Sequence, residues 1–201
     1  MSCSPGTSRS ISPSGAAVPR YRHLCLCREL GLPGPRGLLL SHAQQQYRRG
    51  GDLYNGDNCR SCEVGHTQMV QNGKPCYCGR FGCADCYCSA KPLVKLTGGD
   101  LAEFFLRLEG GDRDARDLWQ EYLNYLAQLI HNIHMLYDCK VVLGGQIGQR
   151  LDGYLDTLCA KLAAMDPFIQ NADYVSVCKA KVESAAVGAA ISFIGEYVSS
   201  I

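Results

Sequence analysis

The sequence predicts an α/β fold for residues 51–201 of this chain of 201 residues. Apolar stripes with helical spacing alternate with short apolar runs that are typical of buried strands. Glycine pairs at 110–111 and 144–145 end two of these segments. The resulting order is strand, long helix, strand, helix, strand, helix, and this order favours a sheet covered by helices.

The first predicted elements after residue 50 are short. Residues 51–56 (GDLYNG) predict a strand that ends at an Asn-Gly turn, and residues 64–70 predict a second strand. Residues 71–90 are dense in Cys and Gly, so we expect a loop whose shape is fixed by something other than an apolar core.

Helices dominate the remaining sequence. Asp100 is expected to cap a helix, with Glu103 as its capping-box partner and Gly110 near its end. The same patterns predict a helix over 114–136, a strand over 140–143 (KVVL), a helix over 149–164, a strand over 174–181 and an Ala-rich helix over 184–198.

Residues 1–50 differ in composition from the rest of the chain. They hold seven Arg, no Lys and a single acidic residue, Glu29, and five of the eight Pro lie between Pro5 and Pro35. Their one apolar run, at 38–40, has no periodic neighbours. Such a segment buries too little apolar surface to offset its ordering entropy. We therefore expect a disordered or non-native N-terminal segment, and the sequence leaves both interpretations open.

Cysteine usage indicates the compartment. The chain has 13 Cys, and its start (MSCSPGTSRSISPSG) lacks the apolar stretch of a secretory signal. The apolar stretch 185–201 is interrupted by Glu196 and is too short to span a bilayer. A cytoplasmic protein with no membrane partner is expected, and its Cys are then metal ligands or buried thiols.

A metal site is suggested by the segment CYCGRFGC at 76–83, which follows His66. Three thiolates and one imidazole form a closed tetrahedral set suited to structural zinc. Spacing alone leaves two alternatives open. Cys59 and Cys62 form a C-x-x-C pair that could bind zinc together with Cys76 and Cys78, or all of these residues could be buried thiols.

Two segments resemble paired signatures of the ROK family, which groups bacterial sugar-responsive repressors with sugar kinases. The signatures are E-x-G-H, here Glu63 to His66, and C-x-C-G-x-x-G-C-x-E, here Cys76 to Asp85. The resemblance runs from about Gly50 to the C-terminus. It implies the C-terminal lobe of an actin-like (RNase H-type) ATPase-domain fold with a structural zinc loop.

The resemblance also assigns roles to single residues. The implied zinc ligands are His66, Cys76, Cys78 and Cys83. Three residues are implied to contact sugar hydroxyls: Glu63, His66 and Asp85. Asp85 stands where the family has Glu, and its side chain is one methylene shorter.

A nucleotide contact is implied at the turn that follows the KVVL strand. Gly144 and Gly145 resemble the adenosine-side turn of the family kinases, in which ATP is the cofactor, whereas Gln146 stands where a third Gly is common. A plain tight turn fits the same residues. The sequence contains no D-x-G-x-T phosphate loop and no Asn-Asp pair, and residues 1–50 show no helix-turn-helix pattern.

We therefore expect a sugar-sensing ROK protein, a truncated transcriptional regulator that binds a small sugar beside zinc. The alternative is the C-terminal lobe of a glucokinase-like sugar kinase that is inactive without its N-terminal lobe. A zinc module with no sugar function is a third interpretation. Enzymatic activity of the chain alone is not expected, DNA would be bound only through a module absent from this sequence, and a homo-oligomer is one further expected partner.

Other conspicuous side chains receive structural interpretations. His131 and His134 lie one helical turn apart, which suits a solvated or capped helix face better than a metal site. Cys86 and Cys88 are expected to pack beside the zinc loop. Four further residues are expected in the core: Trp119, Cys139, Cys159 and Cys178.

Overall fold

The computed structural model describes the strands at 36–40, 45–49 and 52–53, Asp57, and residues 62–168 and 171–178. The strands are β1 (Arg36–Leu40), β2 (Gln45–Arg49), β3 (Asp52–Leu53), β4 (Lys140–Leu143) and β5 (Val175–Val177). The α-helices are α1 (Asp85–Cys88), α2 (Lys91–Val94), α3 (Leu101–Glu109), α4 (Arg113–Tyr137), α5 (Gly145–Gly148) and α6 (Leu155–Met165).

The five strands form one mixed sheet in the order β3-β2-β1-β4-β5. β1 pairs antiparallel with β2, and β2 pairs antiparallel with β3. On the other side of the sheet, β1 pairs parallel with β4, and β4 pairs parallel with β5. A parallel pair needs a crossover connection, and residues 54–139 between β3 and β4 include the zinc-loop candidate and the four helices α1–α4.

The structure differs from the sequence-based expectation for residues 1–50. Two strands lie inside this segment, and β1 is the central strand of the sheet. Both strands lie before the expected boundary at residue 50, and Arg36 is the first residue that the structure describes. Residues 1–35 lie outside the described residues.

The described core is organised around α4, the longest helix. Trp119, Leu123 and Ile130 are fully buried on this helix, which packs against α1, α3 and α6. Trp119 stacks on Tyr122 with ring centroids 5.2 Å apart and meets Phe105 edge to face at 5.4 Å. The burial of Trp119 confirms the expectation that it is a core residue. Burial of its aromatic surface makes a large stabilising contribution.

Several elements agree with the sequence-based predictions. The Asp100 side chain accepts hydrogen bonds from the backbone N–H groups of Ala102 and Glu103 and caps α3. α4 and β4 differ from their predicted ranges by at most one residue at either end. Cys139 and Cys178 are buried, and Cys159 packs against the core, as expected for all three.

Other predicted elements differ. Residues 64–70 do not form a strand but begin with the 3-10 helix Val64–His66, because the Thr67 hydroxyl donates to the Val64 carbonyl at 2.6 Å and closes a turn. The helix predicted over 149–164 is divided into the 3-10 helix Leu151–Tyr154 and α6, in keeping with the low helix propensity of Gly153. β5 is shorter than predicted, and the helix predicted over 184–198 lies outside the described residues.

Among the helices that the structure describes, none has the length and apolarity needed to cross a membrane.

Candidate functional site

The Cys-rich segment is a folded loop that glycines and backbone hydrogen bonds close on itself. The backbone N–H of Cys76 donates to the Arg80 carbonyl at 2.8 Å, and the Gly82 carbonyl accepts from the Met69 N–H at 2.8 Å. Gly79 and Gly82 have φ angles of +85° and +76°, a region that favours glycine. A Cβ atom at Gly82 would lie 1.6 Å from the Val70 carbonyl oxygen, so this close approach requires glycine.

This loop brings four potential metal ligands together. The donor atoms of His66, Cys76, Cys78 and Cys83 all lie within 4.8 Å of one another. His66 Nδ1 is 3.8 Å from Cys76 Sγ, and Cys78 Sγ is 3.6 Å from Cys83 Sγ. A tetrahedral zinc with bonds of about 2.3 Å to sulfur places two sulfurs about 3.8 Å apart. The donor set and its spacing therefore fit one zinc ion.

The electrostatics of the cluster also fit a cation. The backbone N–H of Arg80 donates to the Cys78 sulfur and lowers the pKa of Cys78 to about 6. Burial raises the pKa of Cys83 to about 12, and the neighbouring thiols contribute to the same shift. Three adjacent thiols do not all ionise without compensating charge, and a divalent ion supplies that charge while it displaces the protons.

The alternative ligand set is only partly covered by the described residues. Cys62 is buried in the apolar core cluster with Val64 and Ala84, and it is not one of the four clustered ligands. Cys59 lies outside the described residues. The described geometry therefore favours His66 over Cys62 as the fourth ligand.

Of the three residues implied to contact a sugar, His66 belongs to this cluster, and Glu63 and Asp85 are near its members in the sequence. Glu63 is exposed and directly precedes the 3-10 helix that carries His66. Asp85 begins α1, two residues after the last cysteine ligand. Partial desolvation raises the pKa of the Tyr77 phenol and the Asp85 carboxylate raises it further, whereas the Lys91 ammonium lowers it.

Two further residues at the site were not identified from the sequence. The Tyr77 hydroxyl lies 3.0 Å from His66 Nε2, and the Lys91 ammonium lies 3.0 Å from Asp85 Oδ2. Lys91 Nζ also lies 4.3 Å from the centre of the Tyr77 ring. The position of Tyr77 between two cysteine ligands was a usable signal, whereas no pattern in the sequence indicates Lys91.

The glycine turn after β4 borders a cavity of about 60 Å³ that also reaches Asp85. Gly145 has a φ angle of +74°, and a Cβ atom at Gly148 would lie 2.7 Å from the Leu143 carbonyl oxygen. The cavity is walled by α4 through Tyr122, Leu126 and Leu129. Ligands of α/β sheets commonly bind at the carboxyl ends of parallel strands, where this turn lies.

The remaining candidates have structural roles in the described part of the chain. His134 is buried, stacks on Tyr174 at 3.7 Å and has its Nδ1 atom 3.4 Å from the Cys139 carbonyl. His131 is half-buried and is not part of the metal cluster. Cys86 donates to the Pro75 carbonyl of the loop at 3.5 Å, as expected for packing beside it. Cys88 packs against the apolar core, and burial raises the pKa of its thiol.

Comparison with known proteins identifies the family. The sequence profile of the ROK family matches residues 49–196, and the chain therefore belongs to the ROK family. Among curated proteins, it is 31% identical over 153 residues to an N-acetylmannosamine kinase of Escherichia coli O157:H7, covering 73% of this chain and 52% of that protein. The chain thus spans about half the length of the curated relatives it matches.

Solved structures agree on the fold. A ROK hexokinase from Thermus thermophilus matches with a TM-score of 0.68 at 22% identity, over 79% of this chain and 56% of that one. A ROK transcriptional regulator, a homologue of the E. coli MLC protein, matches with a TM-score of 0.62 at 20% identity, over 79% of this chain and 45% of that one. The α/β fold is confirmed as that of the actin-like ROK proteins, in which both kinases and a regulator occur.

Proposed function

We propose that this chain binds a small sugar beside a structural zinc ion, as the C-terminal lobe of a ROK protein. The observation that carries the proposal is the four-ligand cluster of His66, Cys76, Cys78 and Cys83, with Glu63 directly before the 3-10 helix of His66 and Asp85 at the start of α1. Zinc, when bound, cross-links positions 66 and 83 of a polar loop. That cross-link holds the 3-10 helix after Glu63 and the start of α1 in fixed relative positions.

Sugar recognition suits this arrangement. Carboxylates accept hydrogen bonds from several sugar hydroxyls at once, and bonds to a charged acceptor are stronger than neutral ones. Asp85 Oδ2 already accepts a hydrogen bond from the Lys91 ammonium, which occupies part of the accepting capacity of this carboxylate. Glu63 is exposed and remains accessible to a ligand. We expect Glu63 to contribute more to sugar affinity than Asp85.

The first test measures sugar binding directly. We expect the zinc-loaded chain to bind at least one member of a panel of hexoses and N-acylhexosamines in calorimetric or NMR titrations. Glu63→Gln should weaken that binding about tenfold, because a lost hydrogen bond to a charged group changes the binding free energy by about 1.5 kcal/mol.

The matched control is Glu109→Gln, a change of the same chemistry at the exposed end of α3. It should leave sugar affinity unchanged. Equal sugar affinity in Glu63→Gln and the unsubstituted chain would show that Glu63 does not bind the sugar. A folded, zinc-loaded chain that binds no member of the panel would contradict the sugar-binding proposal.

Between the two activities found in the family, we favour a sugar kinase lobe. The support is the identity of 31% to N-acetylmannosamine kinases, together with the glycine turn that adjoins the same cavity as Asp85. In such an enzyme this chain would hold the sugar and one side of the nucleotide. Phosphoryl transfer consists mostly of positioning and charge stabilisation, and the D-x-G-x-T loop and Asn-Asp pair that serve it are not in this sequence.

A transcriptional regulator is the second candidate. It is favoured by Gln146 in place of a third turn glycine and by the shorter Asp85 side chain. An ADP titration separates the candidates, because only the kinase lobe is expected to bind nucleotide. Under the kinase proposal, ADP should shift the amide resonances of Gly144, Gly145 and Gly148 while the amide of Gly110, at the end of α3, stays unchanged. Saturating ADP without any such shift would favour the regulator.

A further inference from the structure

The carboxylate of Asp85 is bonded to a lysine on the neighbouring helix. Its Oδ2 atom accepts a hydrogen bond from the Lys91 ammonium at 3.0 Å. The Asp85 side chain is 16% exposed and lines the cavity that the glycine turn after β4 borders. Within the described part of the chain, the Oδ1 atom of Asp85 accepts no hydrogen bond. The protein therefore holds one carboxylate oxygen and leaves the other to accept from a ligand.

Neighbouring contacts restrict the position of Lys91. Its ammonium lies 4.3 Å from the centre of the Tyr77 ring, within the range of a cation–π contact. Its backbone N–H donates to the Ser89 hydroxyl at 3.3 Å, and Ser89 is buried in the link between α1 and α2. The Tyr122 hydroxyl donates to the Cys88 carbonyl at 2.9 Å and attaches the end of α1 to α4. The ammonium thus approaches its carboxylate partner from a fixed direction.

We propose that Lys91 is a positioning residue for the sugar site: its ammonium holds Asp85 in the orientation in which Oδ1 accepts from a sugar hydroxyl. The inference deepens the proposed function and rests on it. Asp85 is one methylene shorter than the Glu of the family signature, so its carboxylate stays close to the α1 backbone and within reach of a lysine that begins α2. A carboxylate that is oriented in advance loses less conformational entropy when the sugar binds.

The expected effect of this ion pair is on sugar affinity and not on the stability of the fold. The Lys91 side chain is 56% exposed, and water screens a charge pair with so exposed a partner. Orientation of one side chain before binding, by contrast, changes affinity by about three- to tenfold. Lys91→Met keeps most of the apolar stem and removes the ammonium, so the Asp85 carboxylate gains freedom to rotate. Lys91→Arg keeps the charge and should restore part of the lost affinity.

The test is a double-mutant cycle on the zinc-loaded full chain, with Lys91→Met, Asp85→Asn and both changes together. The probe is the sugar that binds most tightly among glucose, mannose, N-acetylglucosamine and N-acetylmannosamine. We expect Lys91→Met to weaken binding about three- to tenfold in the unsubstituted chain and less than about 1.5-fold in the Asp85→Asn background. The matched control is Lys95→Met, the same change at an exposed lysine directly after α2, which should leave the affinity unchanged.

The other outcomes are distinguishable. Unchanged or tighter sugar binding in Lys91→Met, at one zinc per chain, would overturn the positioning role and leave the proposed function intact. An equal loss of affinity in both backgrounds would also overturn it, because Lys91 would then contact the sugar directly or act through the fold. Loss of zinc in Lys91→Met would assign this lysine to the metal loop and overturn the role as well. An unsubstituted, zinc-loaded chain that binds no sugar of the panel would contradict the proposed function itself.

Discussion

Deletion of residues 1–50 is expected to unfold the domain, whereas a chain of residues 36–201 should keep a cooperative thermal transition. β1 pairs with both β2 and β4 at the centre of the sheet. Without β1 the backbone groups of β4 on that side lose their partners along the register from Lys140 to Leu143. A buried unsatisfied backbone group costs about 1–3 kcal/mol, and whole domains are stable by only about 5–15 kcal/mol.

The measurement is a pair of thermal melts, with zinc present, on residues 36–201 and 51–201. The longer piece keeps all five described strands, and the shorter one loses β1 and β2 but keeps the complete metal loop. Similar melting temperatures for the two pieces would mean that β1 contributes little to the fold. Insolubility of only the shorter piece agrees with the expectation, because an uncovered β4 edge promotes association.

Cys78→Ser is expected to abolish stoichiometric zinc binding and to loosen the loop over residues 66–83. Serine is not ionised at neutral pH and does not replace a thiolate as a zinc ligand, whereas the pKa of Cys78 is already lowered to about 6. Cys78 is the exposed member of the cluster, so its replacement disturbs little packing. Structural zinc contributes directly to folding, so we expect the loop to depend on the metal for its order.

Zinc content and amide exchange test this expectation together. The zinc content measured by elemental analysis should fall from one zinc per chain to none in Cys78→Ser. Amides such as those of Cys76 and Gly82 should lose protection against hydrogen exchange. Cys62→Ser and Cys86→Ser are the controls, since neither residue belongs to the four-ligand cluster. Zinc loss in Cys62→Ser with retention in Cys78→Ser would replace our ligand set by one that includes Cys62.

The sequence predicts elements whose signals are local. α3 follows from its Asp100 cap and apolar stripe, and α4 from a helical stripe sustained along its whole length. β1 and β2 were missed because neither strand has a clear local pattern, and β1 gains its second partner, β4, from about one hundred residues away. The β1 sequence RGLLL has no alternating pattern, and β2 (QQYRR) is mostly polar, so only the partner strands distinguish them from a disordered segment.

The candidate site likewise contains residues that the sequence predicts and residues that it does not. Short spacing and family resemblance predict the four clustered ligands, because three of them lie within the segment 76–83 and the backbone turn that joins them is marked by Gly79 and Gly82. Lys91 begins α2, and it reaches Tyr77 and Asp85 because α2 packs against α1. A single lysine between Ala90 and Pro92 carries no sequence signal of such a contact.

The parallel pairing of β1 with β4 has a consequence for how the protein folds. Gly37 pairs with Lys140, so about one hundred residues separate partners at the centre of the sheet. The entropy of closing that loop precedes the stabilisation that the pairing supplies, and topologies with such distant contacts fold slowly. During synthesis on a ribosome, the hairpin of β1 and β2 is made before β4. The metal loop and α4 have the local contacts that they need to form in the interval. Zinc bound at that stage would shorten the flexible connection and so speed the arrival of β4 beside β1.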